Sequence, residues 1–153
     1  MERGSLLLLL VAMLTVACRD TPFGIGKEDA RRATATVVGD FLSRDGGLGW
    51  PEIFLSDEYL AFPLDSSFVR LLPEVGAPIE FAHRAQVELS PDIIRDGALL
   101  IEASRAQPEA DGSLTLRLSF SANSGFGGEF EYRLTRWRSP DWRVVSITVI
   151  WTV

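Results

Sequence analysis

Residues 113–123 read Ser113-Leu114-Thr115-Leu116-Arg117-Leu118-Ser119-Phe120-Ser121-Ala122-Asn123. Leu114, Leu116, Leu118 and Phe120 alternate with Ser113, Thr115, Arg117 and Ser119. A period of two marks a strand with one face on a core and the other in water. Turn signals bound it: Asp111-Gly112 before, Ser124-Gly125-Phe126-Gly127-Gly128 after. Residues 129–138 repeat the pattern, with Phe130, Tyr132 and Leu134 on one side. Ser139-Pro140-Asp141 then turns the chain into a last strand, residues 142–152. Its second half is apolar on both sides, which predicts a central strand or a face used in assembly.

Upstream, residues 98–107 form another strand after the Asp96-Gly97 turn. Residues 79–89 alternate too, with Phe81, His83, Ala85, Val87 and Leu89 on one face. Between residues 48 and 78 the pattern is irregular. Pro51 predicts a short helix over residues 51–54, Ser56-Asp57-Glu58 cap a further turn, and Asp65 caps a helix over residues 66–72 that Pro73 halts. Over residues 27–43 the period is helical: Ala30, Ala33, Val37, Val38, Phe41 and Leu42 fall on one stripe. Glu28 and Asp29 sit where the helix dipole favours anions, and Gly46-Gly47 stop the helix. Helices first, then consecutive hairpin-linked strands, predict an α+β domain. In it a long N-terminal helix and short helices pack on a curved, twisted and bulged antiparallel sheet, cone-like in shape.

The first eighteen residues belong to a different kind of segment. Arg3 precedes the apolar run from Leu6 to Leu14, and Thr15-Val16-Ala17-Cys18 follows. The run falls short of the roughly 20 apolar residues a membrane span needs, and polar Arg19-Asp20-Thr21-Pro22 comes at once, which favours a cleaved signal. Cys18 is the single cysteine, so it has no partner for a disulfide within the chain. The segment resembles the signal peptide of bacterial lipoproteins, although Thr15 stands three before the cysteine, where leucine is usual. The resemblance implies a signal over residues 1–17, then acylation of Cys18 by chains such as palmitate. Residues 18–26, with Gly24, Gly26 and Pro22, form a tether, and residues 27–153 form the domain. Each buried methylene adds about 0.8 kcal/mol to membrane binding, so several acyl chains anchor firmly. Arg19 directly after the cysteine leans toward an outer membrane where the cell has one. The implied location is the cell envelope, periplasmic or on the outer surface.

The chain carries a net charge of −6. An acidic domain argues against nucleic acid as a partner. One lysine, Lys27, stands among fourteen arginines, a bias that a GC-rich genome explains. One histidine and one cysteine leave no spaced metal-ligand cluster, the Gly125-to-Gly128 loop joins strands where a phosphate loop would open a helix, and no cofactor motif occurs.

The order of elements, closing on Asp141-Trp142-Arg143-Val144-Val145, resembles the nuclear-transport-factor-2-like superfamily over residues 27–153. More narrowly, the chain is similar to small bacterial lipoproteins carrying such a domain. That resemblance implies a cone of curved sheet and helices around an apolar pocket. Some members of the family are ketosteroid isomerases or polyketide cyclases; many only bind. An enzyme of that type needs a base and an oxyanion donor, for which His83, Tyr132 and Asp40 are the candidates. Against this, His83 and Tyr132 read as ordinary strand and core residues, and Asp40 as a solvated helix residue. Phe120, Phe130, Trp137, Trp142 and Trp151 would line a pocket, fill the core or form a dimer face. The expected function is therefore a non-catalytic envelope lipoprotein that binds a small apolar ligand or a protein partner. The alternatives are a pocket enzyme, or a homodimer-forming module using the last strand.

Overall fold

The alternation at residues 113–123 becomes strand β5, Leu114–Ala122, with Leu114, Leu116, Leu118 and Phe120 buried and Arg117 and Ser121 exposed. It belongs to a computed structural model that describes residues 24–46, 49–83, 97–122 and 125–153. The sequential elements are helix α1 (Lys27–Phe41), β1 (Ile53–Ser56), helix α2 (Ser66–Val69), β2 (Ile79–Phe81), β3 (Leu99–Ala103), β4 (Gln107–Pro108), β5, β6 (Gly127–Thr135) and β7 (Arg143–Thr152). Among the described residues these strands form one open, curved sheet in the order β2-β1-β3-β5-β6-β7, with β4 paired to β5.

The class is α+β, but the sheet is mixed where antiparallel pairing was expected. Strand β1 runs parallel to both its neighbours, with Ile53 opposite Ile79 on one side and Leu99 on the other. The same element corrects the helix expected over residues 51–54. Ile53, Phe54, Leu55 and Ser56 are all buried, as are all five residues of β3. A strand covered on both faces shows an unbroken apolar run instead of alternation. Over four residues such a run cannot be told from a short helix by its period.

Helix α1 begins after Gly26, whose carbonyl accepts from Ala30 N–H at 2.9 Å, and ends in a π-helical turn at Leu42–Gly46. Its stripe of Ala30, Ala33, Val37, Val38 and Phe41 lies on Leu55, Leu99, Ile101, Leu116, Leu118 and Leu134. Each large side chain so buried contributes about 1.5–3 kcal/mol. Thr34 is buried on the same helix because its hydroxyl donates to Ala30 O at 2.9 Å, leaving no polar group unmet. Asp29 reaches Arg136 at 2.8 Å and ties the helix start to the chain after β6. At the other end, Phe41 packs on Phe120 and Phe130, centroids 5.0 and 6.1 Å away. A smaller cluster of Phe54, Ala98 and Leu100 fills the opposite face of β1 and β3.

Two turns share one device. Asp65 caps α2 as expected: its Oδ1 accepts from Ser67 N at 2.9 Å, Phe68 N at 3.1 Å and Ser67 Oγ at 2.6 Å. Arg31 of α1 donates to the same oxygen at 2.7 Å. The α-helix there stops at Val69, and single-turn bonds from Leu71 N to Phe68 O and Leu72 N to Val69 O carry the chain toward Pro73. Asp111 repeats the pattern before β5. It accepts from Ser113 Oγ at 2.5 Å and Ser113 N at 3.0 Å, and pairs with Arg133.

The Ser113 hydroxyl and N–H, then Arg133, hold the Asp111 carboxyl down at about 2, and the Ser67 hydroxyl leads in lowering Asp65. A carboxylate depressed by folding adds stability that is fully present above its ordinary value near 3.8 and is lost as pH falls through its folded value. We expect Asp111→Asn to flatten the pH dependence of urea unfolding between about pH 4 and 2. Carboxyl NMR of the unsubstituted protein should give an Asp111 midpoint near the same low value.

The second turn of the meander depends on a glycine pair. Gly128 sits opposite Phe120. A methyl group there would stand 2.8 Å from Phe120 Cε1 and 2.9 Å from the Trp151 carbonyl oxygen. Gly128→Ala should cost about 1–3 kcal/mol in chemical unfolding, since both neighbours are held in the sheet.

Candidate functional site

An apolar pocket between helix and sheet would be the natural site in a cone-shaped fold. Among the described residues the helix and sheet pack closely there. The void lined by Thr34, Val38, Leu55, Phe68, Ile101 and Ala103 measures about 10 Å³, room for one water at most. The larger hollows are on the outside. A 640 Å³ groove runs between the end of α1 and the start of β7, past Asp40, Arg44, Pro73 and Arg143. Another of 470 Å³ lies at the helix start, between Ile25, Lys27, Phe62 and Pro108.

The three candidate residues are dispersed. Tyr132 is buried on the inner face of β6, opposite Leu116 and Ile147, with its ring edge-on to Phe130 at 6.5 Å. His83 follows the end of β2 and is exposed, so it does not face the apolar interior as its place in an alternating run suggested. That run was read as one strand over residues 79–89; β2 ends at Phe81, and residues 84–96 lie outside the described residues. Strand β2 is at one end of the sheet and β6 is four strand steps away, about 19 Å along the sheet. Asp40 opens into the outer groove, where Oδ1 accepts from Arg44 Nε at 3.0 Å. Its Oδ2 is enclosed without a hydrogen-bond partner among the described residues. Tyr132 lines neither groove. Among the described residues the three are not brought together around a space that would hold a substrate between a base and an oxyanion donor. No group of three or more His, Cys, Asp or Glu placed for a metal occurs among the described residues.

The aromatic candidates separate by position. Phe120 and Trp142 are buried, Phe130 is half-buried, and Trp137 and Trp151 are exposed. The Arg136 guanidinium lies 4.7 Å from the centre of the Trp142 ring. Phe120 stacks on Phe130 at a centroid distance of 5.6 Å and meets Phe126 tilted at 5.2 Å, and Trp50 stacks on Phe126 at 6.1 Å. These rings close the end of the sheet opposite the start of α1.

The feature with the clearest capacity to bind is β7. Expected as a central strand or an assembly face, it is the outermost strand among the described residues. Val145, Val149, Ile150 and Trp151 on it are 55, 58, 44 and 46% exposed. Two register shifts explain why the sequence looks apolar on both sides. Trp151 pairs with Glu129 and Val149 with Phe130, leaving Ile150 between them; Ser146 pairs with Arg133 and Val144 with Leu134, leaving Val145. Each extra residue is a bulge that resets the alternation. Ile147 and Val149 therefore face the helix side, with Tyr132 and Phe130, while Thr148 and Trp151 face the other side, with Glu131 and Glu129. The Trp151 indole N–H donates to Glu129 Oε2 at 3.2 Å. Residues 144–153 carry no charged side chain and no proline, two of the features that usually guard a bare edge; a third, the bulge, is present at Val145 and at Ile150.

The lipid site expected at Cys18, with its signal and most of its tether, lies outside the described residues. No helix among the described residues is long and apolar enough to cross a membrane. No family model, curated protein or solved structure matches this chain.

Proposed function

We propose that this protein is an envelope lipoprotein, anchored through an acylated Cys18, whose domain binds another polypeptide along β7. What supports the binding half is a ten-residue outer strand with apolar, half-exposed side chains. The backbone donors and acceptors of such an edge are met by adding a strand, and alternate side chains then give specificity. The small size of the void between α1 and the sheet and the dispersal of His83, Tyr132 and Asp40 favour this reading over its two rivals, a small apolar ligand and isomerase-type chemistry. What supports the anchor is the signal-like segment that ends at a lone cysteine.

The same reading takes α1 as the long first helix of a nuclear-transport-factor-2-like cone, laid across the bent meander of β5, β6 and β7. The parallel pairing of β1 departs from the antiparallel sheet read from the sequence.

Two measurements on the full chain test the halves separately. A photo-reactive residue at Val149 should trap a protein in intact cells, and one at Thr115, half-exposed on β5's polar side, should not. Equal trapping at both positions would remove the β7 edge as the site. Cys18→Ser should move the protein from the membrane fraction to the soluble one, with loss of acyl mass from the peptide that carries residue 18. Retention in the membrane would remove the anchor.

A further inference from the structure

We infer that the polypeptide that pairs with β7 is β7 of a second copy, giving a closed, two-fold dimer with one sheet continuous across both domains. This rests on the reading of β7 as the binding edge and names its occupant.

Three observations select a second copy. The first is charge. The protein carries −6 overall, so two copies repel unless they meet on a neutral surface. Residues 144–153 are neutral throughout. A two-fold axis sets residues near it against themselves, and any charge there would meet its like. The second is register. Between the bulges at Val145 and Ile150, residues 146–149 form a regular stretch. An axis centred on Thr148 sets Thr148 against Thr148 of the second copy, and Ile147 against its Val149. Opposed threonines and opposed β-branched residues are among the favourable cross-strand pairs. The third is closure. Among the described residues the opposite edge strand, β2, is three residues long and carries Glu80. Of the two described edges β7 is the one with a long neutral strand, so β7 meets β7 and the assembly stops at two.

The area is sufficient. Ten residues make an edge about 33 Å long, and joining two such edges with their flanking side chains removes on the order of 1,000 Å² from water, where specific interfaces begin. The geometry also agrees with a shared membrane. Antiparallel edges are related by an axis normal to the sheet, which keeps both α1 helices on one side. Two tethers leaving from that side reach one bilayer.

Thr148→Cys in the full chain, held in detergent micelles, tests the register. It should give a disulfide-linked dimer on oxidation, whereas the unsubstituted chain and Thr115→Cys should not. Thr148 is exposed, so Thr148→Lys should leave the circular dichroism spectrum intact while raising the dimer dissociation constant at least tenfold by sedimentation equilibrium. A monomer at 100 µM, on the order of ordinary transient affinities, or equal cross-linking of Thr148→Cys and Thr115→Cys, would overturn the dimer. A monomer whose Thr148→Cys variant captures a different protein would overturn the second copy and leave β7 as a binding edge. A monomer with no adduct at all would remove both.

Discussion

One helix cannot cover this sheet. An α-helix with its side chains is about 10 Å across, and strands are about 4.8 Å apart, so α1 shields little more than two strands at a time. The sheet is six strands wide in its main path. The fold answers this shortage in three ways. The meander bends, so that Phe41 at the helix end still meets Phe120 and Phe130. Strands β1 and β3 take cover on both faces, with Phe54 and Leu100 in a second cluster. The last strand buries part of Val144 and Ile147 and, among the described residues, leaves Val145, Val149, Ile150 and Trp151 exposed.

Most of the meander was legible because its physics is local. Residues 114–122 must alternate if one face is wet, and Asp111 and Asp65 announce their turns through hydroxyls two residues on. The amphipathic stripe of α1 was equally plain. What stayed hidden depends on partners distant in sequence. Ile53-Phe54-Leu55 lacks a period because two parallel neighbours and two packed layers surround it, and Pro51 before it suggested a helix. The two bulges in β7 shift the frame after Val144 and after Val149. A strict alternation read through them makes an edge strand look like a central one.

The candidate site was less legible than the fold. Tyr132 was correctly placed on the apolar side of its strand, where it is buried against Phe130 among core side chains. His83 belonged to an alternation that the described strand carries only to Phe81. Asp40 was expected to be solvated and is instead half enclosed beside Arg44. The informative signal was an absence of residue types: a ten-residue stretch near the end of the chain with no charge, proline or glycine. It marks an edge that two bulges interrupt but that no charged side chain or proline guards.

The arginine bias also has structural work to do. Arg31 and Arg133 each bridge an aspartate and a serine, a task suited to a forked guanidinium and poorly met by an ammonium. Lys27 is thereby left as the sole side-chain amine, at the foot of α1. Acylating and isothiocyanate dyes, which seek amines, will thus find a single lysine on the folded domain, at the start of α1 beside the tether.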